Sequence, residues 1–156
     1  MAAIAALTLA AFRNAPHSDG SEAHIIDALR KAGALTLSLV AESAGVIVGH
    51  VAMSPVSVSD AASGWYGLGP ISVLPERQGN GIGSALMREA LRLLRERGAA
   101  GCVLVGEPAY YGRFGFRADP NLVFPPVPPE YFQALSFGTR TPRGVVSYHE
   151  AFGVRA

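Results

Sequence analysis

Between Val73 and Ser84 the chain reads Val73-Leu74-Pro75-Glu76-Arg77-Gln78-Gly79-Asn80-Gly81-Ile82-Gly83-Ser84, joining an apolar run to a periodic one through alternate glycines. Residues without a Cβ let a ligand approach the main chain. The first turn of a helix adds N–H groups with no intrahelical acceptor and the positive end of its dipole. Such a turn suits a phosphate or diphosphate. Two phosphate sites are excluded by particular residues. A P-loop needs Gly-Lys-Ser/Thr after its glycines, whereas the chain's one lysine is Lys31. A dinucleotide fingerprint needs its glycines directly after the strand and a carboxylate about twenty residues further on. Here Pro75-Glu76-Arg77-Gln78 intervenes, position 84 is serine, and Ala99 to Gly101 carry no carboxylate.

Other reactive side chains offer less. Cys102 is the sole cysteine and lies in the apolar run Cys102-Val103-Leu104-Val105, which reads as a buried strand residue and excludes an internal disulfide. His17, His24, His50 and His149 are scattered without metal-ligand spacing, so no metal site is expected.

The elements that position the glycine turn follow from periodicity. Ala2 to Arg13 reads as helical, and Ser21 to Ala32 as a second helix with Ile25, Ile26 and Leu29 on one face and Gly33 as its stop. Leu35 to Ala41 alternates with period two. After a turn at Ser43-Ala44-Gly45, Val46 to Val58 returns as a long strand broken near Ser54-Pro55. Trp65 to Leu74 gives a third strand, in which Gly69-Pro70 must disturb the ladder. Gly81 to Arg97 is a helix with Ile82, Leu86, Ala90 and Leu93 on its apolar face and Gly98 as its stop. Cys102 to Val105 follows at the distance of a parallel crossover, so the central unit is β-α-β. Pro108 to Gly115 predicts one or two helical turns, Leu122 to Pro129 an extended proline-rich loop, and Phe132 to Phe137 and Val145 to Tyr148 two final strands.

Composition narrows the function classes. The 156 residues predict one domain, 1–156, able to bury a core. Lys and Arg number 13 against 12 Asp and Glu, which argues against nucleic acid or an anionic membrane as partner. Met1 to Phe12 lacks the basic start of a signal peptide, and Ser43 to Ser59 is interrupted by Gly45, Gly49, His50 and Pro55, so it reads as strand and not as a membrane span. A cytoplasmic protein is expected. With 49% apolar and 16% charged residues, a homodimer interface would suit the surface.

Gln78-Gly79-Asn80-Gly81-Ile82-Gly83 resembles the acyl-CoA motif Q/R-x-x-G-x-G/A of the GNAT N-acetyltransferase superfamily, and Ile71-Ser72-Val73-Leu74-Pro75 resembles the strand that feeds it. Tyr110-Tyr111-Gly112-Arg113-Phe114-Gly115-Phe116 looks like the family's second signature, an aromatic-Tyr pair four residues before Gly-Phe. The wider chain, including Gly106 to Phe116 and Gly144 to Phe152, resembles the bacterial YhbS-like subgroup over almost all of its length. It departs from the family in two places. The family begins with a strand before its first helix, so the first edge strand is expected to be missing here. An asparagine that many relatives carry after the fifth strand is replaced by Gly106-Glu107-Pro108.

The resemblance implies an α/β fold with a central mixed sheet and helices on both faces. It implies acetyl-CoA as cosubstrate, in an opening between the family's fourth and fifth strands. The pantetheine would pair with the backbone of Ile71, Ser72 and Val73, and the pyrophosphate would rest on Gln78, Gly79, Asn80, Gly81, Ile82, Gly83 and Ser84. It further implies that Tyr111 protonates the departing thiolate and that the Val73 N–H polarises the thioester carbonyl. The general base is Glu107 or water. The implied acceptor is a primary amine of a small molecule or protein. Two other readings are a non-catalytic acyl-CoA sensor and, more remotely, a nucleotide-binding protein.

Overall fold

The computed structural model describes residues 22–79, 81–138, 140–149 and 152. The helix expected over Ala2 to Arg13, the missing edge strand and Asn80 lie outside the described residues. Helix α1 (Glu22–Lys31) buries Ile25, Ile26 and Leu29, the face its spacing predicts. It ends at Gly33, whose φ of 71° lets Ala34 N–H reach back to the Leu29 carbonyl at 2.9 Å. Strands β1 (Leu37–Ser43) and β2 (Val46–Pro55) form an antiparallel hairpin. Its two-residue turn, Ala44 and Gly45, has positive φ at both positions, the geometry that matches strand twist. The predicted break after Ser54-Pro55 is present: the chain leaves β2 at Pro55 and re-enters a short strand, β3 (Ser57–Val58).

β4 (Trp65–Val73) leads through the turn into α2 (Ile82–Glu96), followed by β5 (Gly101–Val105). A single helical turn, α3 (Pro108–Tyr111), continues as a 3-10 turn to Phe114 and stops at Gly115 with φ 98°. β6 (Leu122–Val123), β7 (Phe132–Ser136) and β8 (Gly144–Ser147) complete the strands of the described residues. The strands form a mixed five-stranded sheet in the order β1-β2-β4-β5-β7 and a three-stranded sheet in the order β3-β8-β6. β4 and β5 are parallel, as the crossover predicted, and β5 and β7 are antiparallel. Within the β4–β5 ladder the register covers Trp65, Tyr66 and Gly67 and stops two residues before Gly69-Pro70, where proline has no N–H to donate.

Two corrections concern packing. The buried face of α2 is Leu86, Met87, Ala90, Leu91 and Leu94, so the stripe is turned from the predicted one and Leu93 is half-buried. The segment Leu122 to Pro129 is not loop throughout, because Leu122 and Val123 pair in parallel with Gly144 and Val145.

The chain forms two compact units. One comprises the residues up to Ser54, Gly69–Leu91 and the residues from His149; the other comprises Pro55–Leu68 and Arg92–Tyr148. In the first, β2 is covered on both faces. Ala52 packs with Ile26 of α1, while a Cβ at Gly49, three residues away and so on the opposite face, would meet Ile82 and Leu86 of α2 at 2.9 Å. Glycine is therefore required there for α2 to lie close. In the second unit, Val58, Trp65, Val103, Leu122, Phe132, Ala134 and Val146 form one core cluster, which ties the small sheet to the large one.

Candidate active site

The first unit holds the glycine turn. Leu74 donates its N–H to the Val48 carbonyl at 2.9 Å, fixing the end of β4 on β2. Pro75–Arg77 then make one 3-10 turn, and Gln78 Nε2 reaches back to the Val73 carbonyl at 3.0 Å. Arg77 donates to Ser43 Oγ at 3.2 Å, anchoring the turn to the hairpin. Gly79 and Gly81 take φ of 85° and 82°, a left-handed region that other residues enter at a cost of about 1–2 kcal/mol. A Cβ at either position would meet nothing within 4 Å, so space is open above this backbone. The first bond of α2 runs from Ala85 N–H to the Gly81 carbonyl at 3.0 Å. The N–H groups of Ile82 and Gly83 precede it and have no acceptor within the helix. Open space over left-handed glycines at the start of a 15-residue helix fits a diphosphate.

The strand before this turn is less open. Ile71 and Val73 are half-buried, whereas Ser72 is 3% exposed and its hydroxyl has no hydrogen-bond partner among the described residues. Sequence reading singled out Ser72 for its backbone and did not anticipate its buried side chain.

The second unit holds Tyr111. Pro108 opens α3, and the Glu107 carbonyl accepts the N–H groups of Tyr110 and Tyr111 at 3.1 and 3.0 Å. The Glu107 side chain is exposed and makes no capping bond. The Tyr111 ring packs edge-on against Tyr110, with centroids 4.8 Å apart, and against Phe116 at 6.4 Å. Tyr110 lies under the Arg113 guanidinium at 4.5 Å. Burial, reinforced by neighbouring Tyr110, pushes the Tyr111 hydroxyl up to about 12, so it stays protonated at neutral pH.

Gly106 packs against the Tyr111 ring. The Tyr111 ring occupies the space where a Cβ at position 106 would sit, so no side chain fits there beside this tyrosine. The residue is held from the other side. Its N–H donates to the Tyr131 carbonyl at 2.9 Å, and its carbonyl accepts Gln133 Nε2 at 3.0 Å. Gln133 is 1% exposed, and nothing in the sequence marked it beyond being a polar residue in a strand. Cys102 offers no rival nucleophile, since complete burial drives its thiol far above the ordinary range. Among the described residues no three His, Cys, Asp or Glu side chains gather as a metal site. No helix among them is long and apolar enough to cross a membrane.

The comparisons with known proteins fall on the same segments. A family model described as the acetyltransferase (GNAT) family matches residues 2–116, a span containing both the glycine turn and the Tyr111 turn. YhbS of Escherichia coli (strain K12), named an uncharacterized N-acetyltransferase, is 42% identical over 97 residues. That match covers 62% of this chain and 58% of YhbS, so the chain spans less than two thirds of the curated relative. Among solved structures, a GNAT family acetyltransferase from Brucella melitensis in complex with acetyl-CoA is 54% identical. It superposes with a TM-score of 0.87 over 97% of this chain and 90% of its own. The structure of E. coli YhbS in complex with CoA is 34% identical, with a TM-score of 0.86 over 97% and 87%. With its matching family model, its close structural relatives and a mixed sheet carrying both signatures in order, the chain belongs to the GNAT acetyltransferase family.

Proposed function

We propose that this protein is an acetyl-CoA-dependent N-acetyltransferase, a single domain over 1–156, that transfers the acetyl group directly to a primary amine. The observation that carries this reading is the open glycine cradle at the start of α2, within a chain 54% identical to a protein solved with acetyl-CoA. The coenzyme would supply the activated acyl thioester. Gln78, Gly79, Asn80, Gly81, Ile82, Gly83 and Ser84 would hold its pyrophosphate, and the backbone of Ile71, Ser72 and Val73 its pantetheine arm. The Val73 N–H would polarise the thioester carbonyl, since a main-chain donor needs no reorganisation as charge develops on oxygen.

Tyr111 does the proton work. As the amine nitrogen bonds to the acetyl carbon and the C–S bond breaks, the phenol gives its proton to the leaving sulfur. The nitrogen loses a proton to water, and water returns one to the phenolate, so the products are an amide and a thiol. A neutral phenol suits this role because it can donate a hydrogen bond to sulfur and share its proton as negative charge develops there. Glu107 is exposed and is not needed as a base when the acceptor arrives as free amine.

The test is release of free thiol from acetyl-CoA with a panel of primary amines, aminoglycosides, amino acids and N-terminal peptides. Turnover with at least one acceptor, and mass gain of one acetyl group on it, is expected. Tight CoA binding with no thiol release from any acceptor would instead identify an acyl-CoA sensor.

A further inference from the structure

We propose that Gln133 is a positioning residue for the proton donor: its side-chain amide fixes the Gly106 peptide, and that peptide seats the Tyr111 ring. All of these residues belong to the second unit. The contacts start at the end of the β5–β7 ladder. Val105 pairs with Phe132, and the bond from the Gly106 N–H to the Tyr131 carbonyl at 2.9 Å carries the same register one residue further. In an antiparallel pair of this kind the Tyr131 N–H donates in return to the Gly106 carbonyl. Here it does not, because Tyr131 closes the 3-10 turn Pro129–Tyr131 and gives its N–H to the Pro128 carbonyl at 3.0 Å. Gln133 Nε2 donates to the Gly106 carbonyl instead, at 3.0 Å. A side chain thus supplies the last bond of the ladder.

Strand alternation puts this amide on the side of the phenol. Gln133 opposes Leu104, and Leu104 and Gly106 share the face of β5 opposite to that of Val105 and Phe132. On that shared face the place of a Gly106 Cβ is filled by the Tyr111 ring. Gly106 also begins the turn that carries the tyrosine. Its carbonyl belongs to the peptide with Glu107, whose own carbonyl accepts the Tyr110 and Tyr111 N–H groups at 3.1 and 3.0 Å. A rotation of the 106–107 peptide would therefore move the seat of the ring and the start of α3 together.

Stability does not account for a glutamine here. The residue is 1% exposed, and its Oε1 has no hydrogen-bond partner among the described residues. An apolar side chain of the same length would leave one unpaired carbonyl, that of Gly106, in place of another, and would bury more apolar surface, so the exchange is close to even for the fold. What the amide secures is the place of the Gly106 peptide. This inference rests on the acetyl-transfer reading for what the phenol does, but not for what holds it.

Gln133→Met keeps the length of the side chain and removes the donor, and its effect is read in two backgrounds. With Tyr111 present, kcat for thiol release from acetyl-CoA should fall roughly tenfold or more, the scale of a misplaced reacting group, with KM for acetyl-CoA within a factor of about two. In the Tyr111→Phe background the same substitution should change kcat less than about twofold, because no phenol proton is left to misplace. An equal loss in both backgrounds would mean general loosening and would overturn the proposal. The ring is followed by NMR through the signals that vanish in Tyr111→Phe. These should shift in Gln133→Met, and signals that stay in place would overturn the proposal whatever the kcat. Shifted signals with unchanged kcat, or with no thiol released to any acceptor by the unaltered chain, would uphold the placement and defeat the proton-donor role or the transfer reading alone. One measurement needs no variant and serves if Gln133→Met does not fold. The Gln133 side-chain N–H protons should exchange with solvent far more slowly than those of an exposed amide, and exchange at the exposed rate would overturn the proposal.

Discussion

The glycine turn and the Tyr111 turn would serve the proposed reaction by opposite means. At Gly79 and Gly81 the useful groups are main-chain N–H donors, and the side chains matter by their absence; both residues are left-handed with empty space above them. At Tyr111 one side chain would matter, and its ring is packed: Tyr110, Phe116 and Gly106 lie against it. Binding by backbone needs openness, and proton transfer by a phenol needs enclosure. The two should therefore fail differently when altered.

The largest effect should come from Tyr111→Phe. The ring contacts to Tyr110 and Phe116 survive while the transferable proton is lost, so kcat should fall by about 10²-fold or more, the scale of general acid catalysis. The Kd for acetyl-CoA, measured by calorimetry, should stay within a factor of about two because the interaction belongs to the transition state. Equal losses in both quantities would make Tyr111 a binding residue and erase the contrast.

Gly81→Val should produce the converse. No atom lies within 4 Å of the new Cβ, so the whole penalty comes from φ 82°, which a β-branched residue adopts poorly. A distortion of about 1–2 kcal/mol should raise the Kd for CoA roughly tenfold and leave kcat at saturation nearly unchanged. A drop in saturated kcat with unaltered Kd would show that the turn serves catalysis and not phosphate binding.

This contrast also explains what could be read from sequence. A backbone site writes itself into residue types, since left-handed positions favour glycine, and Gly79-Gly81 stood out before any family likeness was considered. The strands around it were equally legible, because Leu37, Leu39 and the long run from Val46 carry period-two or fully buried patterns. Tyr111 was singled out only through the family signature, for a single phenol looks like any packed aromatic. Gln133 was not legible at all. Leu122-Val123 is a two-residue strand with no periodicity, and what makes it a strand is pairing with β8, which is distant in sequence. The stripe on α2 was misjudged by a fraction of a turn because its leucines lie on more than one side, so burial was decided by the surface it met and not by spacing.

The smallest effect should distinguish the two units by pH. The cradle's unit buries His50, 0% exposed, whose Nε2 lies 2.7 Å from Ser38 Oγ while Nδ1 has no partner among the described residues. Burial first, and the Arg30 charge second, lower its pKa from 6.5 to about 4, so the folded protein holds it neutral. The stabilisation from keeping this ring neutral is fully present above pH 6.5 and is lost as pH falls through about 4, by up to about 1.4 kcal/mol per unit within that window. Tyr111 in the other unit is raised from 10 to about 12, so its contribution is present below pH 10 and is lost only as pH rises toward 12. His50→Leu should lower the midpoint of urea unfolding at neutral pH, because the Ser38 contact is gone, but it should flatten the acid limb and leave the alkaline limb in place. An acid limb as steep in His50→Leu as in the parent would assign that titration to other groups. In that case the two units would share their response to acid, and pH would not separate them.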